Sequence, residues 1–322
     1  MDPQGPIRAQ LIFDPKTLER YFEHAASARA CLEPLIQSLD GVNRLGEELS
    51  WEDLRAGGPT HARELQYYKD ERFLTLYGFG ALDLLGDPAR RTERCEHLDQ
   101  LMERALGGDW PGFDDPRLWF EKQIPAPRGF RDHLAGPGGS ADAHPVTYVR
   151  ASASRRRRLE GPTHTDALIE DGDRVVVFEA KFVSDISTHT THAVARNQIA
   201  RNVEAGLEYV KGDVSRLYFV FVSPRAFQRE PWTRLYGYKL PEYMSDPGSI
   251  RRDLPHLGAD VDFATLAQHV GWVTWEDICE ILWASPSFSD PEGRLQQFFE
   301  ERRLWPAGAS RGPDGGNECP TR

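Results

Sequence analysis

The chain has 322 residues, 39% of them apolar and 28% charged, with a formal net charge of −11 and a mean hydropathy of −0.56. That length holds about two domains, or one large one with elaborations, and either can bury a substantial core. The longest uninterrupted apolar run, residues 217–222, falls far short of the roughly 20 residues of a membrane helix, and residues 1–13 lack the basic flank and apolar stretch of a secretory signal, so a cytoplasmic location is expected.

Residues 1–90 read as a helical N-terminal region. Asp14 and Pro15 lead into an apolar pattern of helical period, and Ser50-Trp51-Glu52-Asp53 gives a second start. Arg91 to Leu106 is predicted as a further helix ended by Gly107 and Gly108, and residues 111–116 as loop. Residues 128–145, rich in Gly, Pro, Ala and His, read as a loop or insertion before a strand near residues 146–150. Residues 163–170 and 174–183 are β-rich runs around Asp171-Gly172-Asp173, the signature of an antiparallel hairpin. Residues 192–210 place Ala195, Ile199, Val203, Gly206 and Val210 on or near one helical face. After a turn at Lys211-Gly212-Asp213, residues 216–222 are apolar on both faces, as in a strand at the middle of a sheet. The expected class is α/β, with strand, strand, strand, helix, strand in a core spanning 91–240. Residues 263–283 show helical periods interrupted at Gly271-Trp272-Val273, and Thr274 to Asp277 fits a capping box. They suggest a C-terminal subdomain over 241–305, followed by a Gly- and Pro-rich tail, 306–322, expected to be disordered.

The four cysteines, Cys31, Cys95, Cys279 and Cys319, form no CxxC pair and read as reduced thiols. Net acidity argues against nucleic acid, whose phosphates are bound by Lys and Arg, but the charge is uneven. Residues 145–241 carry fifteen Lys plus Arg against eleven Asp plus Glu, and the remainder 24 against 39. The sharpest basic feature is the run Arg155, Arg156, Arg157 and Arg158. A charge run is usually a solvated face; ahead of a hairpin with charged residues in its strands, it is also a candidate phosphate contact.

That hairpin carries the chemistry. Side chains alternate along a strand, so Glu179 and Lys181 share one face and Phe178 and Ala180 the other. A two-residue turn at Gly172-Asp173 sets Asp166 opposite Glu179, while a three-residue loop would shift the register by one. Two carboxylates side by side on an apolar hairpin require a positive partner, and hard divalent cations bind carboxylate oxygens. Mg2+ is the expected cofactor, with Mn2+ as substitute. Such a cation polarises a phosphoryl oxygen and acidifies a bound water, while Lys181 orients that water or stabilises developing charge. Lysine is scarce, six residues against 33 arginines, which adds weight to one at this position.

Asp166 followed by Glu179-Ala180-Lys181 resembles the PD-(D/E)xK motif of restriction-endonuclease-like nucleases. The resemblance implies an αβββαβ core, Asp166 and Glu179 as metal ligands and Lys181 as the catalytic lysine. It also implies a polar residue on the following helix, matched by Gln198 in RNQIARN, with Arg196 and Arg201 as candidate phosphate contacts. The QxxxY pattern of one subgroup is absent, since Asn202 stands at the tyrosine position. An acidic residue on the first helix of the family is matched by Glu93, Glu96, Glu103 or Glu121. The activity implied is metal-dependent phosphodiester hydrolysis, of DNA ahead of RNA and by an endonuclease ahead of an exonuclease, in restriction, phage defence or repair. A homodimer or a separate partner protein fits such a role, and a catalytically silent nuclease-fold module for binding or assembly is the competing reading.

Other polar residues carry weaker signals. His164, two residues before Asp166, falls on the same strand face and is a candidate for the metal or a phosphate, although a lone strand histidine is more often packed or exposed without function. His189 and His192 have a spacing that can supply two zinc ligands, without an HExxH motif to support it. The glycines from Gly136 to Gly139 lack the Lys-Ser/Thr of a phosphate-binding loop. The eight tryptophans are candidate base-stacking surfaces, but most large aromatic residues are core and none is assigned to binding.

Overall fold

The computed structural model describes residues 12–13, 15–28, 31–32, 71–108, 110–135, 161–188, 190, 196–258, 260–286, 288–290 and 293–305. The second start at Ser50, the strand expected near 146–150, the glycines at 136–139, the arginine run 155–158, His189, His192 and the tail lie outside them.

The centre is a five-stranded mixed sheet. Its members, in their order across the sheet, are β1 (Arg117–Phe120), β4 (Ala167–Asp171), β5 (Arg174–Ala180), β6 (Leu217–Ser223) and β7 (Val270–Thr274). A two-stranded ladder of β2 (Gln123–Ile124) and β3 (Thr163–His164) extends one edge. β4 runs antiparallel to both its neighbours, β1 and β5, whereas β6 and β7 join parallel. A parallel pair needs a crossover, and β5 reaches β6 through the helix Gln198–Tyr209. The hairpin closes tightly, with Asp171 paired to Arg174 and Gly172 at a φ of 57°, a left-handed value that suits glycine at the first turn position.

Alternation along β5 sends Val176, Phe178 and Ala180 to one face and Val175 and Val177 to the other. The first face is covered by α1 (Glu71–Leu82), α2 (Arg91–Leu106) and, from the far end of the chain, the helix Trp275–Ala284. Phe79 of α1 meets Phe178 edge-on with ring centroids 4.7 Å apart, each such ring contributing about 1.5–3 kcal/mol by burial. Beyond α3 (Arg128–Ala135), the opposite face is covered by α4 (Gln198–Tyr209) and α5 (Leu235–Ser245). Asn197 caps α4, its side chain accepting the Ala200 N–H. α6 (Trp275–Ala284) opens on a capping box of Thr274 and Asp277, as its sequence predicts.

Four expectations change. The first strand of the sheet is Arg117–Phe120, a four-residue run too short to show alternation. Arg128–Ala135 is a helix where loop was expected. Gly271-Trp272-Val273 does not interrupt a helix but lies in β7, which pairs with β6, so the stretch expected as a C-terminal subdomain contributes a strand to the central sheet. Likewise a boundary at residue 90 does not separate α1, ten of whose twelve residues are buried, from the core. No helix among the described residues is long and apolar enough to cross a membrane.

Candidate active site

Asp166 sits at a break in the chain between β3, which ends at His164, and β4, which begins at Ala167. The opposing strand breaks at the same level. Phe120 pairs with Ala167 and Gln123 with His164, so one register runs through the gap and Glu121 falls opposite Asp166. Glu121 takes a left-handed φ of 49°, a conformation that costs a non-glycine residue about 1 kcal/mol or more and clusters at functional sites. Across the hairpin, Ala167 pairs with Phe178, and the next step in that register sets Asp166 against Glu179. Asp166 Oδ2 accepts the Ala180 N–H at 2.7 Å.

Glu179 is 3% exposed and lies under the start of α4. Its Oε1 accepts from Lys181 Nζ at 2.5 Å and from Gln198 Nε2 at 2.6 Å, and its Oε2 accepts from Asn202 Nδ2 at 2.5 Å. Gln198 and Asn202 are four residues apart and so share one helix face. The Gln198 amide is oriented from its other end by the Ser187 N–H, which donates to its Oε1 at 3.2 Å. Lys181 is buried, and its Nζ lies 3.8 Å from Glu71 Oε2 at the first position of α1. Glu71 Oε1 accepts from the Phe182 N–H at 3.0 Å and from the Ser184 hydroxyl. The Lys181 backbone is held on both sides, its N–H donating to Val222 O at 2.8 Å and its carbonyl accepting from the Trp275 indole at 2.9 Å.

Desolvation pushes the Asp166 carboxyl well above the ordinary carboxylate range, the neighbouring Glu179 adds to the shift, and Lys181 and the Ala180 N–H only partly oppose it. Burial also raises Glu179, against the pull of Lys181 and Asn202. For Lys181, burial alone lowers the pKa, but Glu179, Asp166 and Glu71 outweigh it and hold the ammonium above its usual value. Lys181 therefore stays charged through the neutral range, which suits it to stabilise negative charge and not to accept a proton. Removing one donor tests this network. Asn202→Leu leaves Glu179 Oε2 without its partner in a closed site and is expected to cost about 1–3 kcal/mol in urea denaturation at neutral pH, whereas an unchanged midpoint would show that the bond contributes nothing.

Asp166, Glu179, Lys181 and Gln198 are thus brought together, and two residues join them that the sequence reading did not place there, Glu71 and Asn202. Asn202 had a signal in its four-residue spacing from Gln198. Glu71 had a fainter one, as the sole acid in a largely apolar helix. Of the four glutamates matched by resemblance, Glu121 neighbours Asp166 and lines a cleft with it, bounded by Arg72, Thr75 and Phe120. Glu93 instead pairs with Arg90, and Glu96 and Glu103 are solvent-exposed on α2.

His164 is exposed and turns to Glu121 O and Gln123 Nε2, since the break at Asp166 ends the alternation that would have aligned them. Arg196 is no surface phosphate contact. It is 2% exposed, paired with Glu204 at 2.5 Å and stacked over Phe130 at 4.1 Å. Arg201 lies half-buried on α4. Among the described residues no group of three His, Cys, Asp or Glu side chains is arranged to hold a metal ion. Compared with family models, with curated proteins and with solved structures, the chain finds no match in any of the three.

Proposed function

We propose that the protein is a metal-dependent nuclease that hydrolyses phosphodiester bonds in DNA. The observation that carries the reading is the convergence of Asp166, Glu179 and Lys181 at the end of the central hairpin, with the amides of α4 closing over them. The element order is compatible with it: apart from the inserted β2, α3 and β3, a helix, strands β1, β4 and β5, a crossover helix and the parallel strand β6 follow one another, as the αβββαβ order of the resemblance would have them.

Asp166 and Glu179 fit a hard cation in donor type. Asp166 Oδ1 makes no hydrogen bond among the described residues, and Glu179 Oε2 has one donor for its two lone pairs. Mg2+ is commonly held by only one or two carboxylates, with water and substrate phosphate completing its shell, so the pair Asp166 and Glu179 is sufficient in number for that ion. When bound, such an ion polarises a phosphoryl oxygen and lowers the pKa of a coordinated water. The Lys181 ammonium supplies fixed positive charge beside the same carboxylates, Gln198 and Asn202 hold the Glu179 carboxylate in place, and the Ala180 N–H fixes Asp166. A silent nuclease-fold module is the second reading, favoured by the three donors that already occupy Glu179.

Cleavage of supercoiled plasmid, linear duplex, single-stranded DNA and RNA, each with Mg2+, Mn2+ or EDTA, separates the two. Cutting by the wild type that needs the metal and is lost in Glu179→Gln and Lys181→Ala is the expected result. Cutting that persists in EDTA or in both variants, or no cutting of any substrate, overturns the nuclease reading.

A further inference from the structure

Among the described residues, the tryptophan rings are buried or half-buried, with one exception. Of the seven described, Trp110, Trp119, Trp272, Trp275 and Trp305 are at most 8% exposed and Trp283 packs against the core, whereas Trp232 is 64% exposed. Tyr238 on α5 is 59% exposed, and its hydroxyl donates to the Trp232 carbonyl at 3.4 Å. Single exposed apolar residues need no explanation, but two large aromatic residues on a fixed backbone form a surface. Pro231 opens the turn Pro231–Thr233 that carries Trp232, and this turn lies so close to α5 that a Cβ on Gly237 would come within 2.0 Å of the Pro231 carbonyl oxygen. Only glycine permits that approach.

The same turn and helix are fastened to the segment that leaves β5. Asp185 accepts the N–H groups of Leu235 at 2.7 Å and Tyr236 at 3.4 Å, and Arg234 Nη2 donates to the Val183 carbonyl at 3.1 Å. Val183, itself 44% exposed, is the second residue after Lys181. The aromatic surface is therefore tied to the segment that follows Lys181. Of the cations in residues 224–240, Arg225 is paired with Asp277 and Glu280 and Lys239 with Glu242 and Asp253, which leaves Arg229 and Arg234 beside the rings. Arg234 stacks over Phe227 at 4.2 Å and bonds only to the carbonyls of Thr233 and Val183, and neither it nor the exposed Arg229 makes an ion pair among the described residues.

Exposed rings interleaved with unneutralised cations match the π-faces and phosphates of an unpaired strand, because every base stacks on an aromatic ring while a duplex hides its faces in its own stack. We infer that Trp232 and Tyr238 form a base-stacking platform for unpaired DNA, with Arg229 and Arg234 on its phosphates. The inference rests on the nuclease reading for its substrate class, and it gives that reading a preference for single-stranded or melted DNA.

Fluorescence anisotropy of a labelled oligo-dT, its oligo-rU counterpart and a duplex of equal length, with Ca2+ replacing Mg2+, tests it on the full chain and on Trp232→Ala, Trp232→Phe and Tyr238→Ala. Trp232→Ala is expected to weaken oligo-dT binding about tenfold and Tyr238→Ala several-fold, as loss of one stacked base implies, while Trp232→Phe stays within about threefold. Duplex affinity should change little. Unchanged oligo-dT affinity in Trp232→Ala, or an equal loss on duplex, overturns the platform, and tighter binding of oligo-rU overturns the choice of DNA. Plasmid cleavage with Mg2+ on the same preparations separates the two readings. Cutting with Trp232-independent binding leaves the nuclease standing and the patch to a protein partner; Trp232-dependent binding without cutting leaves the platform and removes the nuclease; no binding of any nucleic acid removes both.

Discussion

Replacing Lys181 by methionine is expected to destabilise the protein by about 3–5 kcal/mol, the usual result of breaking a buried ion pair by removing one partner, and to abolish metal-dependent cleavage. Methionine keeps the length and apolar stem of the side chain, so the loss reports the ammonium. The charge is surrounded: Glu179 Oε1 lies 2.5 Å from Nζ, Glu71 Oε2 lies 3.8 Å away, and Asp166 contributes from across the hairpin. Without it, Glu179 retains two amide donors but no countercharge. Total stabilities of about 5–15 kcal/mol make such a loss large enough to leave the single variant close to unfolding. A Glu179→Gln/Lys181→Met double variant resolves that difficulty, because it removes the orphaned charge and should recover most of the stability without any activity. Urea denaturation of the four proteins gives the coupling energy directly. A single variant as stable as wild type would show that Lys181 does not hold the carboxylates together.

Asp166→Asn is expected to act in the opposite sense on stability. Asp166 and Glu179 have folded-state pKa values above their ordinary 3.8 and 4.5. Between those ordinary values and the raised ones, the folded chain binds more protons than the unfolded chain, so this pair makes the metal-free protein less stable as pH rises. Asparagine removes the charge yet keeps an oxygen for the Ala180 N–H. The metal-free variant should therefore melt higher than wild type at neutral pH, by roughly 2–4 °C per kcal/mol of repulsion relieved, with the difference shrinking toward pH 4. Added Mg2+ should raise the wild-type midpoint increasingly as pH rises, by about 2.7 kcal/mol of linkage at a hundred times its dissociation constant, and leave the variant unmoved and inactive. Scanning calorimetry across pH, with EDTA or Mg2+, measures both slopes. A variant that melts lower than metal-free wild type would mean that Asp166 is a structural acceptor and not a charge awaiting a cation.

What could be read from the sequence was local. The hairpin announced itself through Asp171-Gly172-Asp173 and two alternating runs, and that short-range geometry was enough to bring Asp166, Glu179 and Lys181 together. Arg91–Leu106 and its Gly107 stop were legible for the same reason. Elements whose identity depends on distant partners were not. β1 has four residues and is a strand because β4 pairs with it, and β7 resembles a gap in a helix until β6 lies beside it. Glu71 is separated from Lys181 by 110 positions of chain and looks like any acid at a helix start, where the favourable interaction of a carboxylate with the helix dipole is explanation enough. Arg196 erred the other way, since charge suggested the surface whereas Glu204 and Phe130 supply partners that let it be buried.

The Trp275 indole that clasps the Lys181 carbonyl belongs to the same helix that supports α1 beneath Phe79, where the two rings lie 6.4 Å apart. Ribosomes add about 5–20 residues per second, so Trp275 is made roughly five to twenty seconds after Lys181. Throughout that interval the nascent chain already holds Glu71, Asp166, Glu179 and Lys181, but the brace that joins their two supports has not been synthesised. A chain translated only as far as β6 thus holds the four charged residues without the helix that fixes the Lys181 carbonyl.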